Sequence, residues 1–215
     1  MTYIHDRLKM SLGARGEIEK GAWLSERTPE ELHVLAEEWA RHLESAAKGK
    51  ARITDKMPGN YQLLGLIKAC FPDAKIVLLR RNAMDNCFSC FATPFSQGHN
   101  FSFSLEHLGH YYQIHEHFVS HWKRVLGEDS IYELDYETLA ENPEHSVAEL
   151  LNAVELPWDA NCLQFHETKR SVSTASVFQV REKMYTRSIE RWKHFEKHLS
   201  PLKEALATPI DLQAT

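Results

Sequence analysis

The chain has 215 residues, 43% hydrophobic and 26% charged, enough to bury a substantial core without disulfides or a structural metal. Its 25 basic and 30 acidic residues leave a formal net charge of -5, which argues against the broad phosphate-neutralising surface of a non-specific nucleic-acid binder but allows a local basic pocket. Apolar stretches such as Ile76 to Leu79 fall far short of the roughly 20 residues that cross a bilayer, so the expectation is a cytoplasmic protein with no membrane partner and four reduced cysteines.

In chain order, residues 1–27 show weak periodicity. Thr28-Pro-Glu-Glu31 then reads as an N-cap, a first-turn proline and a capping glutamate for a helix through Leu32, Leu35, Trp39 and Leu43, closed by Gly49. Ala51 to Asp55 is short and extended, and Tyr61 to Phe71 is an apolar-periodic helix with Leu63, Leu64, Ile67 and Cys70 on its buried side. Lys75 to Arg80 is a continuous apolar run of strand length, the pattern of a strand covered on both faces. Asn82 to Phe91 is helical, Pro94 to Phe103 a loop, and Ser104 caps a long helix ending at Gly127. Ser130 to Asp135 gives a third strand, and Tyr136 and Pro143 begin two further helical segments. Thr168 to Val180 reads as a surface loop, and Arg187 to Leu199 as a last amphipathic helix. Strands alternating with helices predict an α/β fold of three layers, a mostly parallel sheet flanked by helices, whose ligands bind at the carboxyl ends of the strands. Lys56, Arg81 and Tyr136 all stand just past strand ends.

Arg81 follows a buried strand, and Ser89 lies eight residues on, about two helical turns along the same face. A guanidinium fork, a hydroxyl and a helix start suit a phosphate group; the same residues also read as a salt-bridged arginine and a surface serine. Lys56, in Thr54-Asp-Lys-Met-Pro58, is placed either to face a developing oxyanion or to stand as an ordinary surface lysine. Two sharper patterns read blandly. Cys87-Phe-Ser-Cys90 has redox spacing but sits inside a helix, not at its start, and the histidines of the long helix form a solvated face, with no metal assigned and His115 left as a hydrogen-bonded core residue.

Thr54 to Asn60, Phe71 to Arg81, Ser89, Leu134 to Leu139 with Asn142 to Glu144, and Ser176 to Arg181 followed by Tyr185 and Arg191-Trp192 together resemble sulfotransferases, with likeness to the bacterial relatives of tyrosylprotein sulfotransferases over roughly residues 50–203. The resemblance implies a P-loop-type sulfotransferase fold and transfer of a sulfuryl group from 3′-phosphoadenosine 5′-phosphosulfate to an acceptor hydroxyl, which could be that of a protein tyrosine. It implies donor contacts from Arg81 and Ser89 at the 3′-phosphate, from Tyr136, and from Ser176, Gln179, Arg181, Tyr185 and Arg191 in a late wrapping loop; Lys56 would face the transferring group. The organisation it implies is a helical segment over 1–50, the sulfotransferase-like domain over 51–203 and a tail over 204–215. The family's opening strand and Pro-Arg-Ser-Gly-Thr-Thr-type loop have no counterpart in the sequence, and Glu17 is the nearest match to its general base. A truncated member lacking its first strand is therefore expected, prone to self-association through an uncovered sheet. The alternative to an enzyme is a non-catalytic remnant that serves as a nucleotide-binding or interaction module.

Overall fold

Thr28 starts the first helix in the manner its sequence implies. In the computed structural model, which describes residues 27–47, 49–95, 99–167 and 181–210, the Thr28 hydroxyl accepts from Glu31 N at 3.2 Å and Glu31 Oε2 accepts from Thr28 N at 2.9 Å. Two donors that a helix start would leave unpaired are thus satisfied reciprocally. Helix α1 (Pro29–Ala47) is followed by Gly49 at φ +78°, where the lack of a Cβ removes the left-handed penalty. A 3-10 turn, Pro58–Leu63, leads into α2 (Leu64–Cys70). Trp39, Leu66 and Cys70 form a buried cluster with Leu32, Leu35, Leu43, Leu63 and Ile67 around them, and Trp39 meets Phe71 edge-on at 4.8 Å. The chain divides into two compact units after Ala74, and these elements belong to the first.

Residues 51–55, expected to be a strand, form none. Extended backbone becomes a strand only where a neighbour takes up its N–H and C=O groups, and residues 51–57 are exposed. The described sheet therefore has two strands, not three.

In the second unit, β1 (Ile76–Arg80) leads through α3 (Ala83–Phe91) and α4 (Leu105–Leu126) to β2 (Ile131–Asp135), followed by α5 (Tyr136–Glu141), α6 (Pro143–Ala153) and, last, α7 (Ser200–Ala207). The strands run parallel, in register from Ile76 opposite Ile131 to Arg80 opposite Asp135. Parallel neighbours need a long crossover, which α3 and α4 supply. Ser104 caps α4 by accepting from His107 N at 3.3 Å, and Gly127 at φ +101° ends it.

Arg80 ties the strands to α4 by pairing with Glu116 and, at 3.2 Å, with Glu133; Lys123 adds 2.9 Å to Glu133. Burial works to raise the Glu116 carboxyl, but His115 and Arg80 outweigh it and hold the group below its ordinary value. On the opposite face of β1, Val77 is 41% and Leu79 56% exposed. An apolar run predicted cover on both faces; among the described residues Val77 and Leu79 stay exposed while Ile76, Leu78 and Arg80 are half-buried.

The second unit's core joins Cys87, Leu108 and Leu202, with Met84, Cys90, Phe101, Leu105, Tyr112 and Leu206 packed around them. Helix α7 reaches this core because α4 carries Gly109 at the crossing: a Cβ there would stand 2.6 Å from the Ala205 Cβ. Gln113 Nε2 donates to the carbonyls of Ala205 and, at 2.8 Å, Thr208, while its Oε1 accepts from Ile210 N at 3.1 Å. The single amphipathic helix expected from Arg187 to Leu199 is not formed. Glu190 takes a left-handed φ of 57°, which an α-helix of L-residues does not propagate through, and a 3-10 turn, Arg191–His198, precedes α7 instead.

Candidate functional site

Arg81 and Tyr136 are the residues that immediately follow the paired strand ends Arg80 and Asp135, so the parallel register alone brings them side by side. The Arg81 guanidinium lies over the Tyr136 ring, 5.0 Å from its centroid. Its Nη2 donates to the Ser188 carbonyl at 2.9 Å, and the Tyr136 and Ser188 hydroxyls are 2.6 Å apart. Arg81 Nε is buried and has no hydrogen-bond partner among the described residues. An unpaired buried donor on a cation is costly, so this nitrogen calls for an acceptor that the described residues do not supply.

Local chemistry fixes the backbone around the group. Asn82 caps α3, its side chain accepting from Met84 N at 3.1 Å and Asp85 N at 3.2 Å, while its own N–H donates to Glu137 at 3.0 Å. Asp135 caps α5 by accepting from the Thr138 N–H and hydroxyl, both at 2.8 Å. The two helices that begin beside Arg81 and Tyr136 are therefore anchored at their first turns.

Further along α3, Asp85 is only 1% exposed. One carboxylate oxygen accepts from Glu190 N at 2.6 Å and the other from Trp192 N at 3.0 Å. Arg191 lies between those residues, its guanidinium 5.5 Å from the centroid of Phe88, which stacks on Phe195 at 4.7 Å. Ser89, next on α3, is half-buried, and its carbonyl accepts from the Thr93 hydroxyl at 2.7 Å. Burial pushes the Cys87 thiol up to about 12 and also raises Cys90, against a smaller downward pull from Arg81. Neither has the depressed thiol of a redox pair.

The structure thus brings Arg81 and Tyr136 into one group and pins Arg191 to the helix that carries Ser89. Tyr185 is half-buried beneath Arg187, at 4.0 Å, and Arg181 is exposed. Lys56 belongs to the first unit and is exposed there, ahead of the Pro58 turn. Ser176, Gln179 and Glu17 lie outside the described residues. Sequence reasoning missed Ser188 and Asp85. For Asp85 a signal existed, an acidic residue in an apolar helix stripe with Met84, Cys87 and Phe88; for Ser188 there was none.

A parallel strand pair joined through helices, with a cation and a tyrosine at its carboxyl end, sets those two residues where open α/β sheets characteristically hold ligands. A sequence profile of the sulfotransferase family matches residues 5–160, and the chain belongs to that family. The match begins well before the motifs that suggested the resemblance and stops ahead of those between Ser176 and Trp192. An uncharacterized protein of Aquifex aeolicus (strain VF5) is 42% identical over 158 residues, covering 72% of this chain and 21% of its own. The chain spans about a fifth of the length of that relative.

Proposed function

We propose that the chain binds 3′-phosphoadenosine 5′-phosphosulfate and transfers its sulfuryl group to an acceptor hydroxyl, the 3′-phosphate lying against Arg81 and Ser89. The observation that supports this reading most is the buried Arg81 Nε at the strand ends, without a partner among the described residues, on a guanidinium that also contacts Ser188 and Tyr136. A phosphate presents several acceptor oxygens, and a guanidinium offers donors in a fixed fork. Tyr136, with Tyr185, Arg181 and Arg191 along the late segment and Ser176 and Gln179 before it, would complete the donor contacts. We place this site in a three-layer domain and, with Cys70, Cys87, Cys90 and Cys162 all free thiols, in the cytoplasm.

In the proposed reaction the acceptor oxygen forms a bond to sulfur while the bond from sulfur to the bridging phosphate oxygen breaks. The acceptor proton passes to a base or to water, and 3′-phosphoadenosine 5′-phosphate leaves. Negative charge grows on the bridging oxygen, and Lys56 is our candidate to stabilise it.

Calorimetric titration with 3′-phosphoadenosine 5′-phosphate tests the site. Saturable binding is expected, weakened at least about tenfold by Arg81→Ala, with loss of the preference over adenosine 5′-phosphate. Absent binding, or binding indifferent to Arg81, would sink the assignment. Lys56→Ala separates chemistry from binding: turnover should fall roughly a hundredfold with nucleotide affinity unchanged, and an undiminished rate refutes the role.

A further inference from the structure

We propose that Asp85 is a positioning residue for nucleotide binding, holding Arg191 in place through the backbone on either side of it. The proposal rests on the reading that Arg191 contacts the nucleotide. A carboxylate as deeply buried as Asp85 needs compensating donors. It finds them in the N–H groups of Glu190 and Trp192, at 2.6 and 3.0 Å, and leaves the Arg191 guanidinium to lie over Phe88. The left-handed turn at Glu190, φ 57°, is what lets amides two residues apart converge on one carboxylate. Such a backbone persists in a non-glycine residue only where its surroundings hold it.

The carboxylate also stands at the start of the Arg191–His198 turn, whose free N–H groups favour negative charge. Two residues before Glu190, Ser188 is tied to Arg81 and Tyr136. The segment carrying Arg191 is therefore fastened at two points, to Arg81 just ahead of α3 and to Asp85 in the first turn of that helix, before any ligand arrives. A cation held in advance spares the ligand the cost of ordering it.

The experiment is a double-mutant cycle on the full chain, read as the Kd of 3′-phosphoadenosine 5′-phosphate. Asp85→Asn should weaken binding roughly tenfold in the native background and cause no further loss when Arg191 is already alanine. The same loss in both backgrounds shows that Asp85 acts elsewhere and overturns the proposal, as does no loss at all. Amide hydrogen exchange in the ligand-free protein gives a second reading. Glu190 and Trp192 should both be protected in the native chain, and at least one of them should lose protection in Asp85→Asn, whose side chain keeps a single acceptor oxygen; unchanged protection of both is again fatal. If Asp85→Asn does not fold, Asp85→Glu keeps the charge but moves the carboxylate by one methylene, and the same cycle applies. A native chain that binds no nucleotide refutes the site itself, and with it any role for Asp85 there; a native chain that binds while Asp85→Asn binds equally well refutes the Asp85 assignment alone.

Discussion

Cys87 shows how burial decides reactivity residue by residue. Its thiol stays protonated until about pH 12, against 9.0 for an exposed cysteine, whereas Cys162 is exposed. At pH 8, iodoacetamide should therefore modify Cys162 and leave Cys87 untouched until the chain is unfolded, as peptide mass mapping will show. The linkage has a definite sign: the unfolded thiol ionises above pH 9.0 and the folded one does not, so Cys87 contributes a loss of stability as pH rises from 9.0 towards 12. Legibility at this scale followed sequence distance. Arg81 and Tyr136 could be found because each directly follows a strand, a local pattern. Asp85 and Ser188 acquire their roles from partners 105 to 107 residues away in the case of Asp85, and 52 and 107 in the case of Ser188, and no local pattern encodes such a meeting.

Among the elements, the crossing of α4 and α7 is the most exacting. Gly109→Ala should gain up to about 1 kcal/mol in helix propensity, but the new Cβ at 2.6 Å from the Ala205 Cβ costs about 1–3 kcal/mol in overpacking. Net destabilisation is expected in urea unfolding, with only partial recovery in the Gly109→Ala, Ala205→Gly double variant, because the new Cβ also meets the Ala205 and Leu206 backbone at 3.2 Å and a helical glycine is itself unfavourable. The Arg80–Glu116 pair makes a different demand. Because Glu116 is held below 4.5, its contribution is intact at neutral pH and is lost as pH falls through its folded value. Glu116→Gln should cost about 1 kcal/mol at pH 7 and much less in strong acid, where the native carboxyl is protonated too. Helices with chemical punctuation, Thr28 with Glu31 at one start and Ser104 and Gly127 at the ends of another, were legible nearly to the residue. Residues 51–55 were not, because an extended sequence states a preference and a strand requires a partner.

For the whole molecule, the exposed face of β1 sets the expectation. Leu79, at 56% exposure, contributes little to folding, so Leu79→Thr should shift stability by less than about 0.5 kcal/mol. If this face drives self-association, the same change should lower the average mass seen by sedimentation at high concentration. The parallel α/β class was readable from strand-helix alternation, whereas the number of strands was not, since pairing depends on the rest of the chain.

Helix α7 also sets a timetable. Leu202, near the far end of the chain, fills the core between α3 and α4, and Gln113 grips carbonyls 92 and 95 residues downstream. Contacts that distant raise the entropy that must be lost before they form. During synthesis, α3 and α4 must wait with Leu108 and Cys87 uncovered until α7 has been made, and in that interval the nascent chain is exposed to aggregation and to chaperones.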